Sequence, residues 1–153
     1  MTDWQATCHP DILEVLHYWQ GKCAGRRMPA RADIDPAELR RFLPHLTLVD
    51  VVDDARRYVY RLVGTQEVET RGYDPTGKAV ADAYFATSAD AALEQYDIVC
   101  ATRAPHYIAE PFQAVDRFVG AEDLFLPLSK DGEAVDMVMI FSVARDLFQS
   151  GGG

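Results

Sequence analysis

The strand-forming segments of this chain fall into two blocks with a helical stretch between them, and this order restricts the fold more than any other feature. Five segments are rich in β-branched and aromatic residues: residues 46–52, 57–63, 106–115, 122–129 and 134–144. A short acidic turn at residues 53–55 and a turn around Gly132 each predict a hairpin. The pattern predicts an α+β fold, with a five-stranded antiparallel sheet, helices on one face and an extra N-terminal helical segment.

A helix is predicted over Pro10–Cys23, because a proline at the first position and an acidic residue after it suit a helix N-terminus. Its apolar residues recur at helical spacing on one stripe: Ile12, Val15, Leu16, Trp19 and Cys23. We expect a second, short helix from Asp35, with Pro36 at its first position and Glu38 completing a capping box, and it should end at Pro44.

The stretch between the strand blocks predicts two more helices. Residues 66–70 are long enough for one or two turns, and a longer helix should begin at Thr87 or Ser88, either of which can cap it, and close at Pro105. The chain of 153 residues fits one domain. We divide it into an N-terminal helix and connector (residues 1–35), the main domain (36–147) and a flexible glycine-rich tail (148–153).

The net charge of −9 argues against nucleic acid as the main partner, because phosphate binding needs a clustered basic face. The basic residues that do cluster lie beside many carboxylates and are interpreted as a solvated linker, with a phosphate-binding role as the less favoured alternative: Arg26, Arg27, Arg31, Arg40 and Arg41. No apolar run has the length of a membrane span, and residues 1–10 show no leader, so the cytoplasm is the expected location. Three widely spaced cysteines predict no disulfide framework.

Two segments carry a resemblance to a known family. Residues 60–78, with the Gly72-Tyr73-Asp74-Pro75-Thr76-Gly77-Lys78 loop, resemble the passage from the second strand of a PAS domain through its first helix. Residues 126–135, with a proline-containing strand and an Asp-Gly turn, resemble the closing PAS hairpin. Residues 16–46 are similar to those of small bacterial single-domain PAS-like proteins. Glu67 and Glu69 depart from the pattern, which more often has apolar residues in this helix.

The resemblance implies a sensory or regulatory module that binds a small ligand or a signalling protein partner. Fold does not supply the ligand, because PAS domains bind diverse molecules. We expect the N-terminal helix to be a coupling or dimerisation element in a homodimer, through Ile12, Leu16 and Trp19, because its stripe exceeds what a free helix needs.

Cofactors of the common PAS kinds are not expected. A covalent flavin photosensor needs a cysteine in a characteristic helix sequence, which is missing after Gly64, and haem needs an axial histidine, whereas no histidine lies between His45 and His106. His106 at a strand start is the alternative haem ligand. Cys100 is interpreted as a small core residue. No set of residues has the spacing of a metal site.

Six residues are the candidate ligand-binding set: Tyr60, Arg61, Thr65, His106, Tyr107 and Met139. Arg61 allows two interpretations. On a buried sheet face it would need an anion, either Glu67 or Glu69 or a ligand carboxylate. On the outer face it would be an ordinary surface arginine beside the N-terminal helix. Met139 is either adaptable ligand lining or plain core.

No catalytic motif is present, so no enzyme is expected. The alternative is a small cone-shaped α+β hydrolase or isomerase that uses His106 and Glu110, which are four residues apart on one predicted strand and so share a face. An exposed polar strand face explains the same pair without catalysis.

Overall fold

A computed structural model describes residues 4–84, 86, 88–113 and 118–146. The α-helices and strands, in chain order, are α1 (Trp4–Thr7), α2 (Pro10–Cys23), β1 (Leu46–Val51), β2 (Tyr58–Val63), α3 (Thr65–Arg71), α4 (Ala89–Thr102), β3 (His106–Gln113), β4 (Phe118–Leu128) and β5 (Met137–Asp146). Three 3₁₀ helices lie between them, at Arg31–Asp33, Pro36–His45 and Val80–Asp82. The predicted tail (residues 148–153) and Thr87 lie outside the described residues.

The five strands form one antiparallel sheet in the order β2-β1-β5-β4-β3. This order confirms the predicted α+β fold, because the last strand of the chain pairs with the first and so joins the two strand blocks. β2 and β3 are the edge strands. The free edge of β2 is partly paired with the loop after α3, because the Tyr60 N–H donates to the Lys78 carbonyl at 3.0 Å and Val59 forms a β-bridge with Ala79.

The two faces of the sheet pack against different helices. Along β4, Leu124, Leu126 and Leu128 point to the face that α1 and α2 cover, and all three are fully buried. Phe125 points to the opposite face and packs edge-on against Tyr96 of α4, with ring centroids 5.3 Å apart. We call these the outer face, covered by the N-terminal helices, and the inner face, covered by α3, α4 and the 3₁₀ helix between them.

A buried carboxylate fastens the N-terminal segment to the outer face. Glu122 of β4 is 4% exposed and accepts hydrogen bonds from the His9 backbone N–H and the Tyr107 hydroxyl, each at 2.8 Å. Trp4 of α1 stacks on Tyr107 with ring centroids 4.5 Å apart. Further along, the Trp19 indole donates to the Pro127 carbonyl at 2.9 Å. These polar contacts help to set the position of α2, whose apolar stripe is buried against the sheet.

A β-bulge divides β2 into two halves that face different ways. Val49 pairs with Tyr60, but the preceding residue Leu48 pairs with Leu62, so Arg61 is an extra residue without a partner in β1. The strict alternation expected for residues 57–63, which would put Tyr60 and Leu62 on one face, is therefore wrong. Tyr60 is 2% exposed, whereas Leu62 is 49% exposed.

Local sequence signals account for most helix ends. The Ser88 hydroxyl caps α4 by accepting from the Ala91 N–H at 3.0 Å, and Asp35 caps the following segment by accepting from the Ala37 N–H at 3.0 Å. That segment, however, is a 3₁₀ helix that continues through Pro44 to His45. The capping-box role of Glu38 is replaced by contacts with α2, because its carboxylate pairs with Lys22 at 2.9 Å.

Candidate functional site

The inner face holds a group of ionisable and hydroxyl side chains between the sheet and the short helix α3. We call Tyr60, Glu67, Arg71, Asp123 and Ser142 the inner polar cluster. Asp123 and Ser142 are direct cross-strand neighbours on β4 and β5. Glu67 and Arg71 lie four residues apart on α3 and so share one side of that helix. Polar groups here are costly unless they satisfy one another, which makes the cluster a candidate site.

Arg71 joins three parts of the chain. Its guanidinium donates to the Ala83 carbonyl at 2.9 Å and to the Tyr60 hydroxyl at 3.0 Å, and it lies over the Tyr60 ring at 4.8 Å from the centroid. Gly72 follows with φ +86° and ends α3 in the left-handed conformation that glycine tolerates best. Burial raises the pKa of Tyr60, and the Arg71 charge opposes that shift.

Glu67 is a largely buried carboxyl group of the inner polar cluster, and its pKa is strongly raised. Burial raises its pKa to about 7, and the negative charge of Asp123 acts in the same direction. The Arg71 charge and a hydrogen bond with Ser142 act in the opposite direction. His45 lies beside it, with Nδ1 3.4 Å from a Glu67 carboxylate oxygen. Glu67 therefore changes its protonation state in the physiological range, inside the packed part of the fold.

Aromatic side chains form the neighbouring wall of the inner face. Tyr96 of α4 is 6% exposed and stacks against Tyr58 at 5.1 Å between centroids. Burial raises the pKa of Tyr96 well above its ordinary value. The Tyr58 hydroxyl donates to Asp97, which also pairs with Arg57. The cluster is thus bordered by rings on one side and by the α3 backbone on the other.

The six predicted ligand-binding residues do not form one site. Tyr60 and His106 lie toward the inner face, while Tyr107 and Met139 belong to the outer face. Thr65 is exposed at the start of α3. Together with Met139 it borders a largely apolar groove of about 470 Å³ on the outer face, beside the half-exposed Leu62.

Arg61 is a surface arginine, the second of the two interpretations given above. Its side chain is 68% exposed and lies 3.7 Å from an Asp50 carboxylate oxygen. The bulge keeps the Arg61 side chain in solvent. The arginine that contacts the inner face is the half-buried Arg71, which is not among the six predicted ligand-binding residues. The available signal was the i, i+4 spacing of Glu67 and Arg71 on a short helix.

The predicted interface residues Ile12, Leu16 and Trp19 are 0%, 1% and 4% exposed within the single chain. Their stripe packs on the outer face of the chain's own sheet, which accounts for its apolar character without a second copy.

His106, the residue on which the enzyme alternative depends, is packed at the junction of β3 and α4. Its Nε2 lies 2.6 Å from the Gln95 side-chain oxygen, its ring is tilted against Phe125, and burial lowers its pKa. The side chain of Glu110 lies outside the described residues. Across the part of the chain that is described, no three His, Cys, Asp or Glu residues are grouped as metal ligands would be.

Within the described residues, none of the helices has the length and apolar character needed to cross a membrane.

Comparison with known proteins agrees with this architecture. The PAS domain family model matches residues 7–141. The structure is similar to the PAS domain of BvgS from Bordetella pertussis, with a TM-score of 0.51 and 16% identity, covering 74% of this chain and 88% of that one. It is also similar to a light-oxygen-voltage domain studied with a flavin analogue, with a TM-score of 0.53 and 8% identity, covering 76% and 87%. No curated protein sequence matches the chain significantly. Because the family model spans most of the chain, the protein belongs to the PAS domain family.

Proposed function

We propose that this PAS domain is a sensory or regulatory module whose input is a small polar molecule recognised at the inner polar cluster. PAS domains are typically sensory and signalling modules. The observation that carries the proposal is Arg71, a half-buried guanidinium held against Tyr60 and the Ala83 carbonyl, with the ionisable Glu67 on the same side of α3.

Ligand entry would act on the contacts that hold α3 and the segment between α3 and α4 to the sheet. A ligand with a carboxylate or another anionic acceptor competes with Glu67 for the Arg71 charge. Arg71 then donates to the ligand in place of the Tyr60 hydroxyl. Since Arg71 bonds to Ala83 beyond α3, a change at Arg71 alters how the segment between α3 and α4 packs. The resulting surface change is the signal that a partner protein would read.

Native mass spectrometry of the purified protein tests the proposal. We expect a co-purified small molecule on the wild type and on Arg56→Gln, a control whose side chain is exposed and paired with Asp54, and its loss in Arg71→Gln. If no molecule co-purifies and none from a panel of polar carboxylates raises the melting temperature, the small-molecule input is refuted. Protein contact would then be the remaining input.

The enzyme alternative is disfavoured by the position of His106. Its Nε2 lies beside the Gln95 side-chain oxygen and burial lowers its pKa, which supports a packed residue at the junction of β3 and α4 over a catalytic base. The homodimer stays a prediction, and the burial of Ile12, Leu16 and Trp19 within one chain means that any dimer contact would have to use other residues or a detached N-terminal segment.

A further inference from the structure

Three separate chain segments meet at a cleft of about 470 Å³ on the surface. The connector after α2 supplies Arg26 and Arg27, the end of α4 supplies Arg103, and the β4–β5 hairpin supplies the remaining lining. We call this the basic cleft; its lining is Arg26, Arg27, Arg103, Lys130, Asp131, Gly132 and Glu133. A hydrogen bond from the Ser129 N–H to the Pro29 carbonyl at 2.9 Å fixes the connector to the hairpin.

The charge of the basic cleft is opposite to that of the protein. The chain has 24 acidic and 15 basic residues, yet the lining has four basic residues and two acidic ones. The sequence alone favours a solvated linker at Arg26 and Arg27 over phosphate binding. The fold instead brings Arg103 and Lys130, distant in sequence, to the same cleft.

The two acidic side chains of the lining already have partners within the protein. The Asp131 carboxylate accepts hydrogen bonds from the Ser129 hydroxyl at 2.9 Å and from the Glu133 and Ala134 N–H groups at 2.8 and 3.0 Å. These bonds lower its pKa and direct its charge into the turn. Glu133 pairs with Arg103 at 3.5 Å, although its side chain is 84% exposed.

Two cations of the basic cleft have no such partner. Arg26 is engaged by Asp33 at 2.7 Å, but among the residues that the structure describes neither Arg27 nor Lys130 forms an ion pair within 4.0 Å. Both are exposed, and they belong to different segments on the rim of the same cavity. An anion that fits between them would neutralise both charges at once.

We propose that the basic cleft binds a small molecule carrying two linked phosphate groups. Arginine offers a planar set of donors and lysine a compact charge, a combination suited to phosphate oxygens. Two phosphates give each unpaired cation its own anionic group. The overall charge of −9 repels an extended polyanion such as nucleic acid, so the ligand is a small one. This site is separate from the inner polar cluster and does not depend on Arg71.

Isothermal titration calorimetry with pyrophosphate at low ionic strength tests this assignment. We expect one site on the wild type and at least about tenfold weaker binding in Arg27→Gln/Lys130→Gln, because two charge-assisted contacts are lost. The control Arg56→Gln/Arg61→Gln removes the same charge from exposed positions elsewhere and should bind within about twofold of the wild type.

The possible results are decisive in both directions. Binding that weakens only in the Arg27 and Lys130 variant supports the basic cleft, and Arg71→Gln should then bind pyrophosphate normally even if it loses a co-purified ligand. No binding to the wild type at millimolar pyrophosphate overturns the proposal. Equal weakening in both double variants also overturns it, because the attraction would then follow net charge alone. All four substituted residues are exposed, so circular dichroism should show unchanged folding.

Discussion

Replacing Glu67 by glutamine should make the protein more stable at alkaline pH and leave it nearly unchanged at acid pH. Glu67 is 19% exposed, and burial together with the Asp123 charge raises its pKa from an ordinary 4.5 to about 7. A raised carboxyl pKa means that the folded protein holds a proton that the unfolded chain has released. Ionising the group at higher pH therefore costs stability.

The size of the effect follows from the width of this pH window. Below about pH 4.5 Glu67 is protonated in both states, and above about pH 7 it is ionised in both. At about 1.4 kcal/mol per pH unit, the wild type loses up to roughly 3 kcal/mol of unfolding free energy across that window through this group. Glutamine keeps the shape and has no charge to bury. For a chain of this length, 3 kcal/mol corresponds to roughly 6–12 °C in melting temperature.

Urea denaturation at pH 5, 6, 7 and 8 measures the difference between the variant and the wild type. Comparing the two proteins at each pH removes the contribution of titratable groups outside the inner polar cluster, such as His106, whose pKa is lowered. Glu69→Gln is the matched control, since Glu69 is an exposed residue of the same helix. We expect a stability difference that grows from pH 5 to pH 8 for Glu67→Gln and a flat one for Glu69→Gln.

A difference between wild type and Glu67→Gln that does not change with pH would refute the reasoning. So would a direct titration of the Glu67 carboxyl carbon by NMR with a midpoint below pH 5. In that case the Arg71 charge and the Ser142 hydrogen bond would outweigh burial, and the inner polar cluster would be a stably ionised network.

Two further changes test the fold. Gly64→Ala should cost about 1–3 kcal/mol in unfolding free energy, because an added Cβ would overlap the Pro44 carbonyl oxygen. Gly21→Ala in α2, where an added Cβ would meet no atom outside its own helix turn, should stabilise the protein by about 0.5–1 kcal/mol, and equal effects of the two changes in thermal melts would contradict this account. Deleting residues 1–24 should expose the outer face and produce aggregation or an altered oligomer in light scattering; a soluble monomer of unchanged stability would show that α2 is dispensable.

The sheet was predictable because its signals are local. Turn residues and β-branched runs mark each strand within a few positions, and the two-block order leaves few ways to join them. The apolar stripe of α2 was equally clear, but periodicity says only that a stripe is buried. That it is covered by β4 and β5 of the same chain depends on contacts more than a hundred residues apart, such as Trp19 with Pro127.

The candidate site was less predictable, for two physical reasons. The expected position of Arg61 depends on strict alternation along β2. One bulge residue interrupts that alternation, and no glycine or proline stands at the bulge to indicate it in the sequence. The basic cleft, in turn, depends on a long-range tertiary contact. Arg27 and Lys130 are 103 positions apart and line the same cavity because the connector packs against the hairpin.

The extra residue in β2 also determines which substitutions the strand can accept. Tyr58 and Tyr60 are buried in the hydrophobic core, so a polar replacement at either position disturbs the core. Arg61 and Leu62 are open to solvent, so related chains should vary freely at these two positions. Removing Arg61 would restore regular pairing and keep Leu62 opposite Leu48 on the outer face. The pairing of β2 with β1, more than the identity of the residue at position 61, therefore determines which side chains of this strand enter the interior.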